Sequence, residues 1–94
     1  MKVYIAGRIT GNPHYEGKFA EAERMLSDQG HIVLNPAALP CGMSRADYMR
    51  ICFAMIDCAD LVYFLPDWQD SPGAKLEHSY CRYIQKTIMV EDEA

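Results

Sequence analysis

The chain has 94 residues, half of them hydrophobic and 23% charged, with a formal net charge of −4. A chain of this length buries roughly 60–65% of the surface it exposes when unfolded, enough for a single domain over residues 1–94. That balance excludes disordered, collagen-like and coiled-coil chains, no apolar run is long enough for a membrane span, and the lack of a basic footprint argues against a nucleic-acid polymer as partner.

The first element predicted is a buried strand over Lys2–Ala6, a run of β-branched and aromatic residues stopped by Gly7. Pro13 opens a helical segment in which Phe19, Ala22, Met25 and Leu26 recur at helical spacing as far as Gln29, with Gly30 as the stop signal. His31–Leu34 is a short second strand, and Pro36–Met43, with Pro40 and Gly42, reads as loop. Ser44 followed by Asp47 resembles a capping box, and Tyr48, Ile51, Cys52 and Met55 continue it as a helical stripe. Leu61–Leu65 is a continuous apolar strand ended by Pro66. Ser71-Pro72 places an N-cap before Pro at the first helical position, and that helix runs to about Gln85. Thr87–Val90 is a fourth strand, followed by the acidic residues Glu91, Asp92 and Glu93.

Strand and helix thus alternate. Unbroken apolar strands mean that both sheet faces are covered, and helices of this length supply right-handed crossovers. The expected fold class is α/β: a small doubly wound, Rossmann-like or flavodoxin-like, parallel four-stranded sheet with helices on both faces. Ligands of such sheets bind beyond the C-terminal strand ends, which singles out the loops Gly7–His14, Asn35–Met43 and Pro66–Ser71.

In the first loop, Gly7 and Gly11 allow close backbone approach, and Arg8 and Thr10 around Ile9 add donors. The pattern suits a phosphate and equally a tight strand-to-helix turn; it is neither a Walker A loop nor a dinucleotide fingerprint. On the third helix, Gly73, Ala74, Tyr80, Cys81 and Ile84 fall within about 60° of Glu77, while Lys75, Arg82 and Lys86 lie opposite. A carboxylate in the middle of an apolar face is costly unless it is hydrogen-bonded, paired or used. Ser71 caps the helix, whose N-terminus favours anions. Asp67, Trp68 and Asp70 read as turn residues, with Trp68 either a stacking surface or a loop anchor.

Cys41, Cys52, Cys58 and Cys81 form no C-x-x-C and no zinc spacing, so they are expected as free thiols in a reducing, cytosolic compartment, with neither metal nor cofactor. The N-terminus shows no signal-peptide pattern.

Tyr4-Ile-Ala-Gly7, the Gly-Arg-Ile-Thr-Gly loop and the run from Asp70 to Glu77 resemble the nucleoside 2-deoxyribosyltransferase-like superfamily. Within it the chain is similar to a family of short bacterial and phage proteins of unknown function. The resemblance implies cleavage of an N-glycosidic bond. Glu77 would be the nucleophile, Tyr4 would orient it, and Asp70 would face the base. Ser71 and the Gly7–Gly11 loop, Arg8, Ile9 and Thr10 included, would hold a 5′-phosphate beside Gly73. The implied partner is a small-molecule nucleotide or nucleoside; the alternative is a protein that binds a nucleotide without turnover. In relatives an Asp eight residues before the Asp that opens strand three helps position the nucleophile; here Cys52 occupies that place, so either Asp47 or another acid reaches in or catalysis is impaired. The loop from Asp70 to Glu77 is also one residue longer than in the transferases.

Three helices and four strands leave some apolar surface with little cover. Met49, Phe53, Tyr63, Tyr80 and Tyr83 are more large groups than one small core readily hides, so a homodimer or higher homo-oligomer is expected. The resemblance agrees, since relatives associate through the helices flanking the site.

Overall fold

A computed structural model describes residues 1–91. The strands are β1 (Lys2–Ala6), β2 (Ile32–Leu34), β3 (Leu61–Phe64) and β4 (Thr87–Val90), and the helices are α1 (Tyr15–Asp28), α2 (Arg45–Cys58) and α3 (Pro72–Tyr83). All strands are parallel, in the order β2-β1-β3-β4. The chain leaves β1 towards one edge and returns to pair β3 on its other side. The switch point therefore lies between β1 and β3, and folds of this kind bind ligands beyond the strand ends at that point.

Alternation along the strands sorts the core into two layers. Val3, Ile5, Tyr63 and Leu65 pack on Phe19, Ala22 and Leu26 of α1. Tyr4, Ala6, Val62 and Phe64 pack on Cys52 and Ile56 of α2 and Cys81 of α3. One helix covers one face and two cover the other. The expected double cover thus holds for β1 and β3, but Met89 and Val90 on β4 stay about half exposed, and Ile32 on β2 about two-thirds exposed. Tyr63, expected among the excess aromatics, is buried in the α1 layer, and its hydroxyl donates to Glu91 at 2.8 Å. Glu91 is thereby tied to the sheet; Asp92 and Glu93 of the acidic tail lie outside the described residues.

The caps form as their residue types dictate. Ser44 Oγ accepts the Asp47 N–H and Ser71 Oγ accepts the Ala74 N–H, each at 3.1 Å. The expected loop after β2 contains one 3₁₀ turn, Pro36–Ala38, because the Asn35 side chain accepts the Ala37 N–H at 2.9 Å and Pro36 presets the backbone. A second such turn, Trp68–Asp70, joins β3 to α3.

Candidate functional site

The end of β1, the loops after β1 and β3, and the first two turns of α3 meet at the switch point. Beneath them is a buried polar pair. Alternation points Tyr4 towards α2 and α3, and the helical period turns Glu77 inward beside Ala74 and Cys81. The Tyr4 hydroxyl donates to Glu77 Oε2 at 2.5 Å, across 73 residues of sequence. Tyr4 is 1% exposed and Glu77 4%. Glu77 is the one charged residue type in the buried core of the described residues.

Burial dominates the electrostatics. It pushes the Glu77 carboxyl up to about 7, against the opposing pull of hydrogen bonds from Tyr4 and Cys52. Burial, and then the neighbouring carboxylate, raise the Tyr4 phenol well above its ordinary value. Burial likewise pushes the Cys52 and Cys81 thiols up to about 11. At neutral pH this cluster holds one group near its midpoint among three that keep their protons.

Cys52 enters the cluster from the core-facing side of α2, and Asp47 does not follow it. Five residues turn a helix by about 500°, so Asp47 points roughly 140° away from Cys52. It is exposed in the first turn, with its N–H held by Ser44. Of the alternatives for that place, Asp47 as the acid that reaches in is therefore corrected.

The loop after β1 is fixed from the opposite loop. Asp67 Oδ1 accepts the Arg8 N–H at 3.1 Å, and its Oδ2 accepts from Asn12 Nδ2 at 3.5 Å and faces Lys18 Nζ at 3.7 Å. The Arg8 guanidinium folds back on Gly11 O at 3.3 Å, where Gly11 takes the left-handed φ of +77°. Ile9 packs into the α1 layer and anchors the loop, while Thr10 is exposed. Gly7 lies so close to β3 that a Cβ there would stand 2.9 Å from Leu65 Cδ1. Asp67 is the loop-fixing residue that sequence reasoning missed. A short Pro-Asp-Trp-Gln-Asp run carries no periodicity to show which loop its carboxylate faces.

Ser71 and Gly73 lie together at the start of α3: a Cβ on Gly73 would be 3.8 Å from Ser71 Oγ and 3.4 Å from Met49 Cε. Asp70 is exposed, one residue before the cap. Trp68 is a loop anchor. It stacks on His78, itself half-buried, at 4.2 Å and meets Phe64 edge-on at 5.4 Å. Burial, and then the Arg82 charge, lower the pKa of that imidazole. The fold thus joins Tyr4 with Glu77, Arg8 with Gly11, and Ser71 with Gly73. Among the described residues, no three His, Cys, Asp or Glu side chains are placed to hold a metal ion, and no helix is long and apolar enough to cross a membrane.

Residues 1–90 match the family described as Domain of unknown function (DUF4406). The chain belongs to this family. No curated protein matches the DUF4406 chain. Solved structures similar to it include a 2-deoxyribosyltransferase from the psychrotolerant bacterium Bacillus psychrosaccharolyticus, at 22% identity and a TM-score of 0.76 over 96% of this chain and 71% of that one. A 2-deoxyribosyltransferase from Leishmania mexicana is similar at 16% identity and a TM-score of 0.75, over 95% of this chain and 62% of that one. The DUF4406 chain thus has the α/β fold of these transferases and spans less than three quarters of their length.

Proposed function

We propose that this DUF4406 protein cleaves the N-glycosidic bond of a nucleoside or deoxynucleoside 5′-monophosphate, with Glu77 as nucleophile. The observation that carries the reading is the 2.5 Å hydrogen bond from Tyr4 to a buried Glu77 at the switch point of a transferase-like fold. With its carboxyl at about 7, Glu77 is roughly half ionised at neutral pH and weakly solvated, as a nucleophile requires. Tyr4 holds Oε2, which leaves Oε1 for the reaction. Oε1 attacks C1′; the base departs with the bonding electron pair and takes a proton from solvent, with Asp70 facing it and helping to deliver that proton. Water or a second base then attacks C1′ and frees the carboxylate, the two-step logic of retaining glycosidases. Arg8, Thr10 and Ser71 take the 5′-phosphate, aided by the N-terminal dipole of α3. Arg8 gives up only an exposed 3.3 Å contact to Gly11 to do so.

A second reading keeps the nucleotide and omits the cleavage. It draws on the near-complete burial of Glu77 and on a thiol, rather than a second carboxylate, beside it. A nucleotide panel read by chromatography for free base, with binding measured in parallel, separates the two. The enzyme releases base, and Glu77→Gln abolishes release while keeping binding. Binding without release from any common nucleotide favours the second reading.

For either reading we propose a homodimer through α2 and α3, in a reducing cytosolic setting. Phe53 and Tyr80 stack at 4.4 Å on that side, Leu76 is about half exposed, and Tyr83 is 88% exposed. Light scattering that returns a monomer at micromolar concentration would refute the dimer.

A further inference from the structure

Both backbone polar groups of Arg8 are held. Asp67 Oδ1 accepts its N–H at 3.1 Å, and Asn12 Nδ2 donates to its carbonyl oxygen at 3.3 Å. The same Nδ2 reaches Asp67 Oδ2 at 3.5 Å, which closes a ring from Arg8 through Asp67 and Asn12 back to Arg8. Asn12 is fixed in turn: its N–H donates to Ile9 O and its Oδ1 accepts the His14 N–H, each at 3.1 Å. The Arg8 side chain lies outside this ring, on its exposed contact with Gly11 O.

We propose that Asp67 is a positioning residue: its carboxylate orders the Arg8 backbone, and the order gained outweighs the like charge it sets beneath an anion held by the loop. Its role rests on the loop being the phosphate site proposed above, and not on cleavage.

The two effects of Asp67 oppose each other. As a charge it repels a phosphate, which near a solvated surface weakens affinity by about a factor of two. Lys18 Nζ, 3.7 Å from Oδ2, offsets part of that repulsion. As an acceptor it removes motion that binding would otherwise have to freeze. Ordering one mobile side chain or loop segment on binding costs about two- to tenfold in affinity. The Asp67 side chain is 16% exposed against 53% for Lys18. Its charge-assisted bond to the Arg8 N–H is therefore shielded from water and stays made before any anion arrives.

An Asp67 that is only a charged turn residue predicts the opposite sign, since removing it would tighten phosphate binding. Inorganic phosphate is the probe, titrated through its phosphorus NMR shift, because it needs neither base nor sugar. Asp67→Asn and Asp67→Ala remove the same charge, but only Asn keeps an acceptor for the Arg8 N–H. Asp67→Asn should bind phosphate as tightly as the wild type or about twofold tighter, and Asp67→Ala about two- to tenfold more weakly than Asp67→Asn. Equal affinity in the two variants would leave charge as the whole effect and overturn the proposal. A second measurement needs no variant to fold. Amide hydrogen exchange of the wild type without ligand should find the Arg8 N–H protected; an Arg8 amide that exchanges freely until phosphate is added would overturn the proposal too. A wild type that binds no phosphate overturns it together with the phosphate contact. Base release from the nucleotide panel is scored separately. Phosphate affinities in the expected order without release remove the cleavage and leave Asp67 as the positioner, whereas release with equal variants removes Asp67 alone.

Discussion

Replacing Glu77 by Gln should change how stability depends on pH, whatever the protein does. Burial raises the folded-state pKa of Glu77 from its ordinary value of 4.5 to about 7. A raised pKa means that the folded state holds the proton more tightly than the unfolded chain. The stability this confers is complete below about pH 4.5 and is lost as pH climbs through about 7. Within that window the loss runs at up to about 1.4 kcal/mol per pH unit, and the total is on the order of 3 kcal/mol. Glu77 is nearly inaccessible, so solvent screening takes little of it away. Gln has the same shape, still accepts from Tyr4, and cannot ionise. The variant should match the wild type near pH 4 and exceed it by most of that amount at pH 8. Urea unfolding followed by the fluorescence of Trp68, the one tryptophan, reads this directly at each pH. The difference between the two proteins isolates Glu77 from the other titrating groups. A difference that stays flat from pH 4 to 8, or that favours the wild type at high pH, would refute the claim that burial outweighs the Tyr4 and Cys52 hydrogen bonds.

Tyr4→Phe removes a charge-assisted bond worth roughly 1.5–3 kcal/mol, so the Glu77 midpoint should rise by about one to two units and base release at pH 7 should fall about tenfold or more, recovering at higher pH; an unchanged pH profile would remove Tyr4 from the mechanism. Arg8→Ala should weaken a nucleotide roughly ten- to a hundredfold and leave the matching nucleoside nearly unaffected in calorimetry, whereas equal losses would place Arg8 outside a phosphate site. Gln85 sits at a φ of 61° just past α3, so Gln85→Gly should stabilise the chain by about 0.5–1 kcal/mol in urea unfolding, and Gln85→Ala should not.

What was legible depended on whether the physics is local. The helical period of residues 72–83 fixes which side chains share the face of Glu77, and the structure buries Ala74, Glu77 and Cys81 together. The same holds for the caps at Ser44 and Ser71, whose bonds reach three residues. The edges were less legible. An apolar run such as Thr87–Val90 reads like a central strand, but cover depends on how three helices divide between two faces. With two on one side and one on the other, β4 keeps Met89 and Val90 about half exposed. Met25 fits the α1 stripe by spacing and still ends 37% exposed, at the rim of a cavity of about 530 Å³ beside Leu65, Pro66 and Glu91.

The site itself was legible as a set of residues and not as a set of bonds. Glu77 on an apolar face announces that some partner must exist, because an isolated buried carboxylate is unaffordable; nothing local says that the partner is Tyr4. The resemblance names Tyr4, and the physical reason is the register Tyr4↔Val62 together with α3 crossing back over β1 and β3. Asp67 shows the reverse case. Its residue type suits a turn, and a turn is where it lies, yet its carboxylate holds the Arg8 N–H from a loop 59 residues away. A negative charge thus stands under the loop proposed to receive a phosphate, with Lys18 set against it at 3.7 Å. Arg8 divides the two tasks. Its backbone fastens the loop to Asp67, and its guanidinium, tied only to Gly11, stays available to an anion arriving from solvent. A loop whose backbone is fixed from below and whose charge is free above can bind an anion without first being ordered by it, and this division also explains why Arg8→Ala, which keeps the N–H, reads the phosphate contact without unfastening the loop.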